Sequence, residues 1–119
     1  MTPLGAKMRE LREARGVTLK QMAKALNVSS AYLSALEHGK RGKPTWILLQ
    51  RIIHYFSVIW DEADELQRLA ELSDPKVTIE TGGLAPEATE LANRLARDIS
   101  RLSPEDLSAL KAELIKRVK

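Results

Sequence analysis

Residues 18–39 read TLKQMAKALNVSSAYLSALEHG, and this stretch predicts two short helices joined by a tight turn. Thr18 followed three residues later by Gln21 is the pattern of a capping box, which opens a helix. Asn27 adopts the left-handed conformation at low cost and therefore ends that helix. Ser29 is the expected N-cap of the next helix. The segment therefore predicts a helix-turn-helix unit.

The flanking sequence extends this unit into a five-helix domain. Apolar residues at helical spacing predict a helix over 3–15, with Gly16 at its end. A loop follows at 38–44, because glycine and proline break regular structure there. Thr45 is the expected cap of a fourth helix, and residues 61–72 predict a fifth. The inward residues expected on the fourth helix are Ile47, Leu48, Ile52 and Phe56, and Trp46 and Trp60 are interpreted as core or interface anchors.

The last third of the chain has a different character. Residues 74–84 contain proline and paired glycines and are interpreted as a linker or an ordered arm. Two amphipathic helices follow, one over about 86–101 and one that begins after Ser103. Their apolar stripe consists of Leu91, Leu95, Ile99, Leu102, Leu107, Leu110 and Leu114. The predicted organisation is an all-α chain with a five-helix bundle at 1–73, a linker at 74–84 and a helical dimerisation segment at 85–119.

Composition excludes several classes of function. The 119 residues include no cysteine, so disulfides, iron–sulfur clusters and thiol catalysis are excluded. No apolar run approaches the roughly 20 residues that a membrane span needs. The sequence shows no metal cluster, no nucleophile–base pair and no phosphate loop, and we expect no enzyme activity, no cofactor and no metal. We expect a cytoplasmic, nucleoid-associated protein that does not contact a membrane.

The net charge of +3 is unevenly distributed along the chain. Residues 1–59 carry a net charge of +7, residues 60–84 carry −5, and residues 85–119 carry +1. Positive charge therefore concentrates on the half that contains the two-helix motif. A polyanion is the partner that such a surface attracts, and a merely solvated basic surface is the alternative.

Further residues fall in register with one known pattern. They are Arg9-Glu10-Leu11-Arg12-Glu13, the small residue Ala23, Asn27-Val28-Ser29, Tyr32-Leu33-Ser34 and Leu36-Glu37-His38-Gly39-Lys40. On these residues the span from about Leu4 to Val58, half of the chain, resembles the Cro/CI-type helix-turn-helix domain, also called the xenobiotic-response-element (XRE) type. The resemblance implies a lambda-repressor-like fold that inserts its third helix into the major groove of double-stranded DNA.

The resemblance also implies which residues contact DNA. They are Thr18, Lys20, Ser29, Ser30, Ala31, Tyr32, Ser34, Ala35, His38, Lys40, Arg41 and Lys43. Arg12 and Glu37 are implied to form a structural ion pair. For two of the contacts an alternative stays open: Tyr32 stacks on a sugar or packs against the second helix, and His38 touches a phosphate or caps its own helix.

The base-facing positions depart from the family pattern. Many relatives carry Gln, Asn or Arg where this chain has Ser30, Ala31, Ser34 and Ala35. Long side chains that bind guanine or adenine through two hydrogen bonds are therefore missing, and sequence reading must depend on hydroxyls, methyl contacts, water or DNA shape. With roughly four to six cations on phosphates per dimer, the slope of log affinity against log salt would be about −4 to −5.

Three functions are compatible with these observations. The first is a homodimeric transcriptional regulator, more specifically a repressor, that binds a pseudo-palindromic operator and dimerises through residues 84–119. In this interpretation the C-terminal helices pack on a second copy; the alternative is that they pack back on their own domain. The second function is an antitoxin whose C-terminal helices bind a toxin. The third is a weakly specific architectural DNA binder.

Overall fold

The computed structural model describes all residues from Met1 to Lys119, and every regular element is helical. The chain divides into two compact units, Met1–Val77 and Thr78–Lys119. The first contains α1 (Pro3–Arg15), α2 (Leu19–Leu26), α3 (Ser30–Glu37), α4 (Trp46–Tyr55) and α5 (Asp61–Glu71). The second contains α6 (Pro86–Asp98), a 3₁₀ turn (Ile99–Arg101) and α7 (Pro104–Val118). The prediction of an all-α fold with five helices followed by two is confirmed.

Local capping signals fix the ends of the helices in the first unit. The Thr18 hydroxyl accepts a hydrogen bond from the Gln21 backbone N–H at 3.0 Å, and the Gln21 side chain accepts one from the Thr18 N–H at 2.9 Å. Asn27 ends α2 with φ 59° and ψ 43°, in the left-handed region. Ser29 caps α3 and Thr45 caps α4 through their side-chain oxygens. These caps satisfy backbone donors that would otherwise lack a partner.

The core of the first unit is one cluster to which all five helices contribute. Its fully buried side chains include Met8 of α1, Met22 of α2, Leu33 of α3, Ile52 of α4 and Leu66 of α5. Burying a side chain of this size contributes about 1.5–3 kcal/mol. Helix α3 packs against α1 and α2, while α4 packs against α2 and α5. The core therefore holds α3 from behind and leaves its other face exposed.

Helix α4 differs from the prediction at its first turn. Ile47 is 64% exposed and Trp46 is 71% exposed, so neither lies in the core. The inward positions of α4 are Leu48, Leu49, Ile52 and Ile53. Successive residues of an α-helix are rotated by about 100°, so a stripe through these four positions leaves position 47 outside it. Trp60 is 82% exposed, so for both tryptophans the core is wrong and the interface anchor is the alternative that remains.

The second unit buries none of its residues. Helix α6 ends at Asp98, three residues earlier than predicted, and continues as the 3₁₀ turn. The tightening has a local cause: Ser103 precedes a proline and must be extended, and Leu102 is already extended at φ −87° and ψ 140°. Ser103 then caps α7, as predicted. None of the helices combines the length and apolar character needed to cross a lipid bilayer.

Candidate nucleic-acid interface

The turn between α2 and α3 sets the position of the exposed helix. Ala23 is buried where the two helices meet, and its carbonyl accepts a hydrogen bond from the Val28 N–H at 3.0 Å. A larger side chain at position 23 would hold the helices apart. Leu33 and Leu36 bury the inner face of α3. The two-helix unit is thus rigid on the side that faces the core.

The outer face of α3 presents small side chains to solvent. Ser29, Ser30 and Ala31 are exposed at its N-terminal end, and Ser34 and Ala35 are half-buried one turn later. The Ser29 hydroxyl is occupied as a helix cap, because it accepts from the Tyr32 N–H at 3.0 Å. Ser30 and Ser34 are the hydroxyls on this face that no helix cap occupies. The face is therefore smooth, with few groups that can discriminate bases directly.

A buried ion pair fixes the C-terminal end of α3. Nη2 of Arg12 in α1 donates to both carboxylate oxygens of Glu37, each at 3.0 Å, and both side chains are almost fully buried. This is the pair that the resemblance to the XRE-type domain implies. The Glu37 carbonyl also accepts a hydrogen bond from the Thr2 N–H at 3.0 Å. Gly5 allows α1 to approach so closely, because a Cβ at that position would lie 2.2 Å from the Glu37 carbonyl oxygen.

Sequence reasoning missed the roles of Thr2 and Gly5. Gly5 lies inside a helix, where glycine costs about 1 kcal/mol relative to alanine. A glycine at this unfavourable position was the one sign in the sequence that another helix, here α3, approaches α1 closely.

The loop after α3 carries unpaired positive charge. Lys40, Arg41 and Lys43 are exposed, and none forms an ion pair. The Arg41 guanidinium lies over the Tyr32 ring, 5.4 Å from its centroid. A cation–π contact of this kind holds the guanidinium beside α3. Cations without carboxylate partners are available to phosphates.

The remaining predicted DNA contacts divide into two kinds. Lys20 is exposed and unpaired on α2, and Thr18 lies exposed at the start of that helix. His38, in contrast, uses Nδ1 to bond the Ser34 carbonyl at 2.9 Å. Because a carbonyl only accepts, Nδ1 carries the proton and His38 caps the end of α3. In the neutral ring Nε2 is then an acceptor and has no proton to donate to a phosphate.

Arg51 is a further cation that sequence reasoning missed. It lies on α4 and lines a cleft of about 420 Å³ together with Ser29, Tyr32 and Thr45. The cleft therefore brings an exposed guanidinium to the N-terminal end of α3. The signal in the sequence was weak, since Arg51 lies inside a mostly apolar helix and outside the basic loop.

The predicted dimerisation residues lie on the second unit and remain largely exposed. Leu91 and Ile99 of the first helical stretch are exposed, as are Leu107, Leu110 and Leu114 of α7. Leu95 and Leu102 are half-buried. The unit thus exposes apolar stripes on both helices.

These features define a helix-turn-helix domain of the XRE-like type. Comparison with known proteins agrees: the helix-turn-helix domain family matches residues 3–66, and the chain belongs to it. The chain is 38% identical over 61 residues to an uncharacterised HTH-type transcriptional regulator, RghRB, of Bacillus subtilis strain 168, a match of 51% of this chain and 44% of that protein. It is 33% identical over 61 residues to the HTH-type transcriptional repressor RghR of the same strain, which covers 51% of this chain and 45% of the relative.

A third relative is much longer. The HTH-type transcriptional regulator PrpR of Mycobacterium tuberculosis H37Rv is 33% identical over 72 residues, or 59% of this chain and 15% of that protein. In each case the match spans less than half of the relative.

Proposed function

We propose that this protein is a homodimeric transcriptional repressor that binds a pseudo-palindromic operator in double-stranded DNA. Helix α3 enters the major groove, and the loop at 38–44 binds the sugar–phosphate backbone on either side. One observation carries the proposal. The exposed, unpaired residues Lys40, Arg41 and Lys43 directly follow α3, whose inner face is buried in the core and whose outer face is open to solvent. Repression follows from occlusion of a promoter that overlaps the operator.

Relatives named as transcriptional regulators support a regulatory role. One of them is named as a repressor and matches the DNA-binding half of this chain. Repression is therefore the preferred direction of regulation. Binding to chromosomal DNA places the protein at the nucleoid, in the cytoplasm.

Affinity in this proposal comes mainly from phosphates. The short side chains on α3 limit the discrimination available from each base pair, whereas each cation that engages a phosphate adds to the salt dependence. With roughly four to six engaged cations per dimer, log affinity falls against log salt with a slope of about −4 to −5.

The second unit supports the homodimer. Two amphipathic helices without a buried residue cannot be stable in isolation, because helices of this length need a surface on which to bury their apolar stripes. A second copy offers the same stripe in return, as two-fold symmetry requires. The dimer also sets the spacing between two recognition helices, which a palindromic operator must match.

DNA binding is tested with the full chain. Chromatin immunoprecipitation with sequencing identifies the operator, and titration of that duplex measures affinity. Lys40→Ala and Arg41→Ala should each weaken binding about three- to tenfold and flatten the salt slope by about 2 per dimer. Arg68→Ala is the matched control, since Arg68 is exposed and unpaired on α5. Wild-type affinity in both loop variants would contradict the interface.

Dimerisation is tested by sedimentation of the full chain. Replacing Leu110 and Leu114 together by Glu should convert the dimer to a monomer, because the new charges lie within the proposed apolar interface. Ser108→Glu introduces the same charge on α7 outside the stripe and should leave the dimer intact. A dimer that survives the double change would place the interface elsewhere. A monomeric wild-type chain that instead captures a toxin would favour the antitoxin function.

The smooth face of α3 favours one further candidate, a weakly specific architectural DNA binder. The two functions differ in the ratio of affinities for the selected operator and for a random duplex at one salt concentration. A ratio above about 10³ supports the repressor, and a ratio near one supports the architectural role.

A further inference from the structure

Two apolar features of the first unit include none of the DNA contacts expected from the sequence. One is a knob in the turn between α4 and α5, formed by Ile59 and Trp60, both largely exposed. The other is a groove between α2 and the outer side of α4. The groove has a volume of about 600 Å³, and Ala25, Trp46, Ile47 and His54 are among its lining residues. Large aromatic and aliphatic side chains exposed together mark binding surfaces more often than isolated ones do.

The backbone of the knob is held in an unfavourable conformation. Trp60 has φ 55° and ψ −125°, a region that favours glycine, and Ser57 nearby has φ 53°. A bulky residue in such a conformation costs about 1–3 kcal/mol and persists where the surrounding structure imposes it, commonly at binding sites. Trp60 also makes no side-chain capping bond to α5. The turn thus projects an indole into solvent without a local benefit to folding.

The knob and the groove have neighbours of opposite charge. Asp61, Glu62, Asp64 and Glu65 follow the knob directly, and none of them forms an ion pair. The groove is bordered by Arg51, which also lines the cleft beside α3 and has no carboxylate partner, and by the neutral side chain of His54. The four carboxylates beside the knob and the unpaired Arg51 guanidinium at the groove are electrostatically complementary. The size is compatible too, since grooves of about 300–1,000 Å³ hold compact organic groups.

We propose that the Ile59–Trp60 knob of one copy docks into the α2–α4 groove of a second copy. Knob and groove are different surfaces, so the contact is heterologous and leaves one knob and one groove free at the ends of each pair. It can therefore add copies in a row, separately from any pairing of α6 and α7. On DNA, the contact joins copies bound at neighbouring sites and makes their occupancy cooperative.

The contact between knob and groove is small, so its effect differs between copies free in solution and copies bound to the same duplex. One indole and one aliphatic side chain bury far less than the roughly 1,200 Å² of a stable interface, so docking in solution is weak and transient. Two copies held side by side on one duplex have a high effective concentration, and the same contact then contributes measurably. The expected gain is about tenfold in the affinity of the second copy for its site.

Tryptophan fluorescence of the full chain tests the docking without DNA. Trp46 and Trp60 are the two tryptophans of the protein, so Trp46→Phe leaves Trp60 as the reporter and keeps an aromatic ring in the groove. As the concentration rises toward about 1 mM, the Trp60 emission should shift to shorter wavelength and iodide quenching should fall, because the indole leaves water.

A charge in the groove should abolish this shift. In the Trp46→Phe background, Ala25→Glu places a carboxylate in the groove, opposite the acidic residues of the knob, while retaining a good helix former. Ala14→Glu is the matched control, since Ala14 is an exposed alanine on α1 that does not line the groove. Adding Glu62→Lys to Ala25→Glu should restore part of the shift, because the two charges then attract.

The second arm measures binding to duplexes with one site or two adjacent sites. Trp60→Ala should retain single-site affinity and lose the tenfold cooperativity. Trp60→Gly should lose cooperativity equally while its melting temperature stays at or above the wild-type value, since glycine relieves the backbone strain. This pair of variants separates docking from folding.

Clear outcomes would overturn the proposal. They are wild-type cooperativity in Trp60→Ala, a full shift of the Trp60 emission in Ala25→Glu, or a shift that Ala25→Glu retains and the Leu110→Glu, Leu114→Glu double change removes. The last outcome would show that the knob contacts the second unit. Because the fluorescence arm contains no DNA, its result is independent of the proposed function, and a failure of DNA binding leaves it interpretable.

Discussion

Replacing Gly5 by Ala should push α3 away from α1. A Cβ at position 5 would lie 2.2 Å from the carbonyl oxygen of Glu37 and 2.8 Å from its Cα. These neighbours are backbone atoms, so no change of side-chain rotamer relieves the clash. An ordinary C···O contact is about 3.3 Å, and the two helices must therefore separate by about 1 Å.

The cost of this separation combines three effects. Overpacking of a tight core costs about 1–3 kcal/mol, and the upper end applies because neither backbone can yield alone. The Thr2 N–H to Glu37 carbonyl bond, now 3.0 Å, would weaken and add about 1 kcal/mol. The higher helix propensity of alanine returns about 1 kcal/mol. The net loss in the free energy of unfolding is about 3 kcal/mol.

Urea unfolding of the full chain measures this loss. Gly42→Ala is the control, since a Cβ there meets nothing within 4 Å and the backbone has no positive φ. It should change stability by less than about 1 kcal/mol. Because Glu37 ends α3, the Gly5 variant should also bind the operator more weakly even where it is folded. A Gly5→Ala protein within about 0.5 kcal/mol of wild type would refute the close approach of α1 and α3.

Three further predictions concern single side-chain contacts within the first unit. Arg12→Ala should lower the free energy of unfolding in urea by about 3–5 kcal/mol, because Glu37 stays buried without a partner. The double change Arg12→Met, Glu37→Leu should recover most of the lost stability, and no recovery would contradict this explanation. Tyr32→Leu should weaken operator binding about threefold with little change in stability, since the ring holds Arg41 by a cation–π contact; an unchanged Kd would show that the contact does not position the guanidinium. Ser73→Ala should lower the free energy of unfolding by about 1–3 kcal/mol, because the buried Leu4 N–H loses its acceptor at 2.9 Å. Hydrogen exchange at the Leu4 amide should become faster, and an unchanged exchange rate would argue against the bond to Ser73.

Features encoded by neighbouring residues could be predicted from the sequence. The capping box at Thr18 and Gln21, the left-handed Asn27 and the caps at Ser29 and Thr45 all depend on bonds within a few residues. Their outcome is set before tertiary packing, which explains why the boundaries of the two central helices match the prediction.

Features that depend on distant residues were not visible. The closeness of Gly5 to Glu37 joins residues far apart in sequence, and so does the cleft that brings Arg51 to Ser29. The exposure of Trp60 was also missed, because large aromatic residues usually bury most of their surface and its backbone conformation departs from local preference. Arg12 and Glu37 are the exception: the resemblance to a known family implied their pairing, which spacing alone could not.

Ser73 joins the end of the first unit to its beginning. Its hydroxyl accepts from the Leu4 N–H and donates to the Leu69 carbonyl, so the segment after α5 closes over the start of α1. The family match stops at residue 66, short of this closure. A fragment cut at the family boundary would therefore leave a buried donor unsatisfied and the first turn of α1 frayed. We therefore expect the shortest fragment that folds as the first unit to extend past Ser73. A graft of this unit into another protein should retain Leu4, Leu69 and Ser73, whose hydrogen bonds join the two ends of the unit.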